Sequence, residues 1–158
     1  MIAAFRRRGR LGQRRGVARP PRPSKVGEAA PELTGVTPAN QPLRIQTGPG
    51  THLVVAFLTS SCLPCSTFWT ALAADPGGAE GVASGPAMVV VTPDPSTENR
   101  QAVQRLAPAS VPVIMSSQAW IDCGVSGSPF FVVVADGLIV AEGVAHGWAE
   151  LLRLIPAG

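Results

Sequence analysis

The sequence lacks acidic residues over its first 25 positions, which carry eight arginines and Lys25. This segment has a formal charge of +9, whereas residues 26–158 contain four basic and ten acidic residues, a balance of −6. The high sequence pI of about 9.2 therefore results from the basic tail and not from the surface of the folded domain. Because residues 1–25 also contain few apolar side chains to bury, we predict that they form a disordered basic tail.

A long apolar run near the first residue is also missing. Residues 1–5 are too short to span a membrane and no apolar segment follows the arginines, so neither a signal peptide nor an anchor is visible. The tail would be attracted to anionic lipid or nucleic acid; a solvated leader, or a start codon placed inside a longer reading frame, also explains it. Of these partners we expect an anionic membrane surface and no nucleic acid. We expect a cytoplasmic location or the cytoplasmic membrane face for the chain as given, and an extracytoplasmic anchored form if an upstream segment is missing.

The sequence has few metal-binding side chains, with three cysteines and two histidines. A structural zinc site needs four ligands. Cys123, His52 and His146 form no second closely spaced pair that would complete a site begun by Cys62 and Cys65. We therefore predict no metal.

The two closely spaced cysteines follow a strongly apolar segment. Residues 53–58 are six apolar residues in a row, which predicts a strand buried on both faces. Apolar residues at helical spacing follow, and Asp75 to Gly78 is predicted to end that helix. Cys62 and Cys65 therefore lie where a strand passes into a helix.

This position favours redox chemistry. Residues three apart across a first helical turn have Cα atoms about 5 to 6 Å apart, within disulfide range. The positive end of the helix dipole and its free N–H groups favour a thiolate at Cys62. We assign Cys62 as the attacking thiolate and Cys65 as the resolving thiol that expels a partner from a mixed disulfide. The alternatives are a pair of ordinary buried thiols and half of a zinc site.

The rest of the chain alternates strands and helices. We expect one domain over residues 26–158, with short edge strands at 26–33 and 43–45. A second central strand at 88–92 is predicted to run parallel to the first. The further predicted elements are a helix capped by Ser96, an extended piece at 111–115, helical turns at 116–122, a hairpin of 130–134 and 138–142 around Asp136-Gly137, and an amphipathic helix from Trp148 to Ile155. We expect Asp94 and Glu98 to be solvated.

The order of these elements resembles the thioredoxin superfamily. The motifs that carry the resemblance are Cys62-Leu63-Pro64-Cys65 after the first central strand and Gly124-Val125-Ser126-Gly127-Ser128-Pro129 before the hairpin. The match covers about residues 26–155. Residues 26–33 look like the leader of the TlpA-like and redoxin branch, and residues 57–65 are similar to MauD-type proteins, accessory factors in methylamine dehydrogenase maturation. The resemblance implies an α/β, thioredoxin-like fold with a central mixed sheet flanked by helices, here with an extra N-terminal edge hairpin.

The resemblance also implies roles for residues near the cysteines. Pro129 would be a cis-proline that faces the disulfide, and Ser128 would offer backbone hydrogen bonds to an extended substrate strand. The loop would also deny a metal its place beside the first cysteine. Ser61, Leu63 and Pro64 form the immediate context of the motif.

The sequence departs from the family pattern at two positions. Ser61 stands where the family usually has tryptophan before the first cysteine, and Ala56 stands where thioredoxins have a buried acid. Without that carboxylate, water or a group from the partner must deprotonate Cys65. The direction of electron transfer therefore stays open. Cys123 is predicted to be a buried structural thiol, with a third redox thiol as the alternative.

We therefore predict an enzyme, a thiol-disulfide oxidoreductase that exchanges a Cys62–Cys65 disulfide with protein thiols. Its partners would be protein thiol or disulfide substrates and an unidentified redox donor or acceptor, and it would need no cofactor beyond the redox-active disulfide. One alternative is a non-catalytic thioredoxin-like module for assembly or redox sensing. Another is a thiol peroxidase, which the spacing of Thr59 and Cys62 favours, although Val55 stands where the peroxiredoxin pattern has proline.

Overall fold

The computed structural model describes residues 22–74 and 86–157. These ranges contain seven strands and four helices. In chain order they are β1 (Leu33–Val36), β2 (Pro42–Ile45), β3 (His52–Phe57), α1 (Ser66–Ala74), β4 (Ala87–Thr92), α2 (Arg100–Leu106), β5 (Val113–Met115), α3 (Ser117–Asp122), β6 (Phe130–Ala135), β7 (Leu138–Gly143) and α4 (Trp148–Leu154). None of these helices is long and apolar enough to cross a membrane.

The seven strands form one mixed sheet in the order β2-β1-β5-β4-β3-β6-β7. Strands β3, β4 and β5 run parallel, and each remaining neighbouring pair is antiparallel. The predicted parallel pairing of the two central strands across α1 is therefore confirmed. Because the carboxyl ends of parallel strands meet at one edge of a sheet, the segments that follow β3, β4 and β5 are neighbours there.

The sheet has an apolar cluster on each face, because side chains alternate along its central strands. One cluster joins the sheet to α1, α2 and α4 through Phe68, Val103 and Leu151. The other joins it to α3 through Ala119. Every residue of 53–58 is buried, so the prediction of a strand buried on both faces is confirmed, with β3 beginning at His52 and ending at Phe57.

The N-terminal edge hairpin is confirmed as β1 and β2, but its first strand starts later than predicted. Residues 27–30 instead bond to the far side of the sheet. Gly27 donates to the carbonyl of Ile139, and Ala30 donates to the carbonyl of Gly137, at 2.8 and 2.9 Å. The chain at Gly27 has a positive φ of 90°, a conformation that breaks a regular strand.

The boundary predicted for the basic tail also moves. The Arg22 guanidinium lies 2.9 Å from the carboxylate of Glu142, and the backbone N–H of Lys25 donates to the same carboxylate at 2.9 Å. Residues 22–25 therefore contact the domain instead of belonging to a tail. The remaining predicted tail, residues 1–21, lies outside the described residues, as does the predicted helix stop at 75–78.

The structure also corrects the residue predicted to cap α2. Asn99, not Ser96, caps α2, and its side chain accepts from the N–H of Ala102. Ser96 is engaged elsewhere, because its N–H and hydroxyl both bond to the Asp94 carboxylate. These bonds form a turn ahead of the helix and lower the pKa of Asp94, the hydroxyl bond having the larger effect. The predicted Asp136-Gly137 turn is confirmed, with positive φ at both residues.

Candidate redox site

Cys62 and Cys65 are joined by a disulfide, with their Cα atoms 5.2 Å apart. Cys65 is fully buried, whereas Cys62 is half-buried. Of the two disulfide-bonded residues, therefore, only Cys62 presents surface to a second molecule. An attacking thiolate must be accessible and a resolving thiol need not be, so this difference in access matches the two roles that the motif predicts.

The cysteines lie in the turn that precedes α1, not across its first turn as the sequence predicted. The helix begins at Ser66, whose N–H and hydroxyl both donate to the Leu63 carbonyl, at 3.1 and 2.6 Å. The N–H of Cys65 donates to the Cys62 Sγ at 3.2 Å. A backbone N–H directed at this sulfur stabilises negative charge on it. The interaction comes from the turn rather than from a free helical N–H.

Ser128 and Pro129 lie opposite the disulfide. Their peptide bond is cis, as the resemblance implied, and the Ser128 carbonyl oxygen lies 3.6 Å from the Cys62 Sγ. The antiparallel register of β3 and β6 explains the approach, since it pairs Phe57 with Phe130. The segment that leaves β3 and the segment that enters β6 must therefore meet at this edge.

The other motif residues form the exposed rim of the disulfide. Leu63 is 82% exposed, and Ser61 and Pro64 are exposed as well. The loop before them is anchored from α1, because the indole N–H of Trp69 donates to the Thr59 carbonyl at 3.2 Å. An exposed leucine next to an accessible disulfide offers an apolar contact to an incoming chain.

Glu98 belongs to this region, and the expectation that it would be solvated is wrong. It is half-buried. Its carboxylate accepts from the N–H of Ser60 at 3.0 Å and from the Ser60 hydroxyl. The two residues are 38 positions apart, so no local pattern indicates the contact. The only available signal was that both segments follow neighbouring parallel strands.

The position where thioredoxins have a buried acid is apolar here. Ala56 is fully buried and belongs to the same apolar cluster as Cys65. Position 56 therefore supplies no carboxylate that could accept a proton from Cys65.

The remaining cysteine, Cys123, belongs to the other apolar cluster from Cys65. Cys123 is a buried free thiol at the end of α3. Burial, with a smaller contribution from Asp122, raises its pKa to about 11. His52 and His146 are exposed. Within the described residues, no three cysteine, histidine or acidic side chains lie close enough together to bind a metal ion.

Neither protein-family models nor curated protein sequences match this chain. Solved structures do match it. The thioredoxin domain of a thiol-disulfide oxidoreductase from Bacteroides vulgatus is 16% identical, with a TM-score of 0.58, over 81% of this chain and 93% of that domain. The fold is thioredoxin-like.

Two further structures match this thioredoxin-like chain. A thioredoxin-family thiol:disulfide interchange protein from Chlorobium tepidum is 23% identical, with a TM-score of 0.59, over 80% of this chain and 92% of its own. A secreted disulfide oxidoreductase from Mycobacterium tuberculosis is 18% identical, with a TM-score of 0.53, over 68% and 79% of the two chains. At these identities the matches establish the predicted fold class and no more.

Proposed function

We propose that this protein is a thiol-disulfide oxidoreductase that exchanges the Cys62–Cys65 disulfide with thiols of client proteins. The observation that carries the proposal is the unequal access to the two sulfurs. Cys62 is half-buried and faces the Ser128 carbonyl, while Cys65 is fully buried behind it. A client can attack or be attacked at one sulfur only, which orders the two exchange steps.

In the reducing direction, the Cys62 thiolate attacks one sulfur of a client disulfide. A mixed disulfide forms, and the other client sulfur leaves as a thiolate. The Cys65 thiol then loses its proton, and its sulfur attacks the Cys62 Sγ, so that the remaining client sulfur leaves as a thiolate. The client gains two electrons, and the Cys62–Cys65 disulfide is restored.

In the oxidising direction, a client thiolate attacks the Cys62 Sγ and Cys65 leaves as a thiolate. A second client thiolate attacks the client sulfur of the mixed disulfide and releases Cys62. Both directions use the same sulfurs, so the reduction potential and the available donor or acceptor set the net flow. On this proposal the disulfide is the redox group, and no bound cofactor takes part.

The surroundings of the disulfide suit a polypeptide client. Backbone polar groups of the segment that ends in Ser128 can bond to an extended client strand. The exposed Leu63 gives apolar contact beside the reacting sulfur. From the resemblance of residues 57–65 to MauD-type maturation factors, we further propose a client protein that is being assembled. The basic residues of 1–21 supply, on the same proposal, attraction to an anionic membrane surface.

The resolving step must work without a carboxylate at position 56. Because Ala56 stands there in the buried cluster of Cys65, water or a group from the client accepts the Cys65 proton. A client that carries its own basic group would therefore accelerate the resolution of the mixed disulfide more than any other step.

Activity of a Cys62→Ser variant tests this function. We expect it to lose both dithiothreitol-dependent insulin reduction and oxidation of a reduced protein, because the accessible sulfur is gone. Cys65→Ser should instead accumulate a mixed disulfide with the client, visible by mass spectrometry. Cys123→Ser, which changes the buried thiol away from the disulfide, is the matched control and should keep both activities.

The same variants distinguish the other functions. If Cys62→Ser stays folded and keeps both activities, the proposed enzyme is wrong. Unchanged binding of a client by a protein whose disulfide does not exchange would indicate a non-catalytic assembly or sensing module. Consumption of hydrogen peroxide that depends on Cys62 would indicate a thiol peroxidase.

A further inference from the structure

Glu98 connects the segment after β4 to the loop that carries Cys62. Its Oε2 accepts from the Ser60 N–H at 3.0 Å, and its Oε1 accepts from the Ser60 hydroxyl and, at 2.7 Å, from the Asn99 N–H. Three donors therefore point at a single half-buried carboxylate. A carboxylate has enough acceptor positions for all three, whereas the single amide oxygen of glutamine offers only two.

This contact fixes the loop from one side, and Trp69 fixes it from the other. The indole N–H of Trp69 holds the Thr59 carbonyl, and Glu98 holds the N–H of the next residue, Ser60. With its N–H engaged by the carboxylate, Ser60 cannot turn that group toward the sulfur two residues later. The N–H that does reach the Cys62 Sγ is that of Cys65.

We infer that Glu98 is a positioning residue that holds the Cys62 loop and whose negative charge reduces the fraction of Cys62 present as thiolate. The inference rests on the proposed function and adds to it a residue that changes the reduction potential of the Cys62–Cys65 disulfide. A negative charge near a thiolate disfavours its ionised form. Reduction of the disulfide takes up two electrons and one proton and yields the Cys62 thiolate and the Cys65 thiol. In the test below, the electrons come from two glutathione molecules, which become glutathione disulfide. Glu98 therefore makes the disulfide a weaker oxidant than it would otherwise be.

The variant Glu98→Gln removes the charge and keeps the shape. We expect the equilibrium with reduced and oxidised glutathione at neutral pH to shift at least about threefold toward the dithiol, which equals about 14 mV for a two-electron couple. The ultraviolet absorbance of the thiolate in the reduced protein should rise with it. Ser60→Ala removes the hydroxyl contact but keeps the charge, so it should stay within about twofold of the unchanged protein.

Two further variants serve as a charge control and as a substitute if Glu98→Gln does not fold. Asp122→Asn makes the same charge change at an exposed position of α3 and should leave the equilibrium unchanged. The amide of Glu98→Gln faces backbone and hydroxyl donors, so that variant can fail to fold. Adding Glu98→Gln to Ser60→Ala removes one of those donors, and this double variant is compared with Ser60→Ala alone.

The outcomes separate the inference from the function. If neither Glu98→Gln nor the double variant shifts the equilibrium relative to its reference, or if Ser60→Ala shifts it as far as Glu98→Gln does, the inference is wrong. If the unchanged protein does not exchange its disulfide with glutathione at all, the proposed function is wrong. The thiolate absorbance of the reduced protein still reports on Glu98 in that case.

Discussion

At the residue scale, Arg22 connects the start of the described chain to the sheet. Its guanidinium bonds to Glu142 on β7 and to the carbonyls of Cys123 and Gly124. It also lies 4.6 Å from the centre of the Phe130 ring, within the range of a cation–π contact. Phe130 directly follows the cis-proline, so Arg22 supports the strand that holds the loop opposite the disulfide.

This contact makes stability depend on pH. Burial alone would raise the pKa of Glu142, but hydrogen bonds from the Lys25 N–H and Arg22 outweigh it and lower the pKa from its ordinary 4.5. A lowered folded-state pKa means that the stabilisation is complete above 4.5 and is lost as the pH falls through the folded-state value. We expect Arg22→Met to reduce the free energy of unfolding by about 2 kcal/mol at neutral pH, and by progressively less as the pH falls below 4.5.

Urea unfolding at several pH values measures this effect. Arg44→Met is the matched control, because Arg44 pairs with Glu32 at the same 2.9 Å but is 66% exposed. An exposed ion pair contributes little, so the control should change stability by less than about 0.5 kcal/mol. Equal losses in the two variants, or a loss at Arg22 that does not depend on pH, would contradict the prediction.

Single residues also show where prediction from sequence ends. The pair Cys62 and Cys65 could be identified because a short spacing between a strand and a helix is local information. The position of Glu98 could not, since its partner lies on another segment and the contact exists only after β3 and β4 have paired. Arg22 was predicted to belong to the tail because the composition gives the number of charged residues but not the carboxylate with which each one pairs.

At the scale of elements, very few strand-pairing contacts attach the N-terminal hairpin to the rest of the sheet. Strands β1 and β5 share one pair, Val36 and Met115. Gly35 permits the approach, because a Cβ there would overlap the Met115 carbonyl oxygen and lie 2.9 Å from the Ser116 Cβ. The close packing of β1 on β5 therefore requires glycine at position 35.

We expect Gly35→Ala to loosen the hairpin and to lower the free energy of unfolding by about 2 kcal/mol, the usual cost of overpacking. Hydrogen exchange of the β1 and β2 amides should become faster, while exchange in β3 and β6 should change less. Gly48→Ala is the control, since a Cβ at Gly48 meets nothing within 4 Å. Unchanged exchange in β1 and β2 of the Gly35 variant would show that the junction tolerates a side chain.

Strands and turns were easier to predict than helix starts. The amino-acid types of residues 53–58 predict a strand, because large apolar residues follow one another without interruption. The Asp136-Gly137 pair predicts a turn, because both residues accept a positive φ. A helix start depends on which side chain reaches the first free N–H groups. Ser96 has the right chemistry but bonds to Asp94, so Asn99 caps α2 instead.

At the scale of the whole molecule, one sheet serves two apolar clusters. Phe131 and Val132 are adjacent on β6 yet belong to opposite clusters. Loss of packing on either face must therefore disturb the strands that the other face also needs. This sharing makes unfolding a property of the entire described domain and not of one layer.

We expect Phe131→Ala to lower the free energy of unfolding by about 4 kcal/mol, because Phe131 is fully buried and its ring centre lies 4.8 Å from that of Phe68. Unfolding should remain a single transition, with coincident near- and far-ultraviolet circular dichroism. Ile121→Ala, at a side chain that is 69% exposed, should cost less than about 0.5 kcal/mol. Two separate transitions for Phe131→Ala would mean that the layers unfold independently.

The bonds from residues 27–30 to β7 have a consequence for self-association. A bare outer strand is a template on which a second molecule can add, the first step toward fibrils. Here the N–H groups of Gly27 and Ala30 donate to the carbonyls of Ile139 and Gly137, and the N–H of Ile139 donates to the Glu28 carbonyl, so the outer side of β7 is already bonded near its start. On the opposite side of the described sheet, β2 is four residues long and carries Pro42, which has no N–H, and the charged Arg44. Both edges of the described sheet thus oppose the addition of a strand from a second molecule, which is the first step toward amyloid.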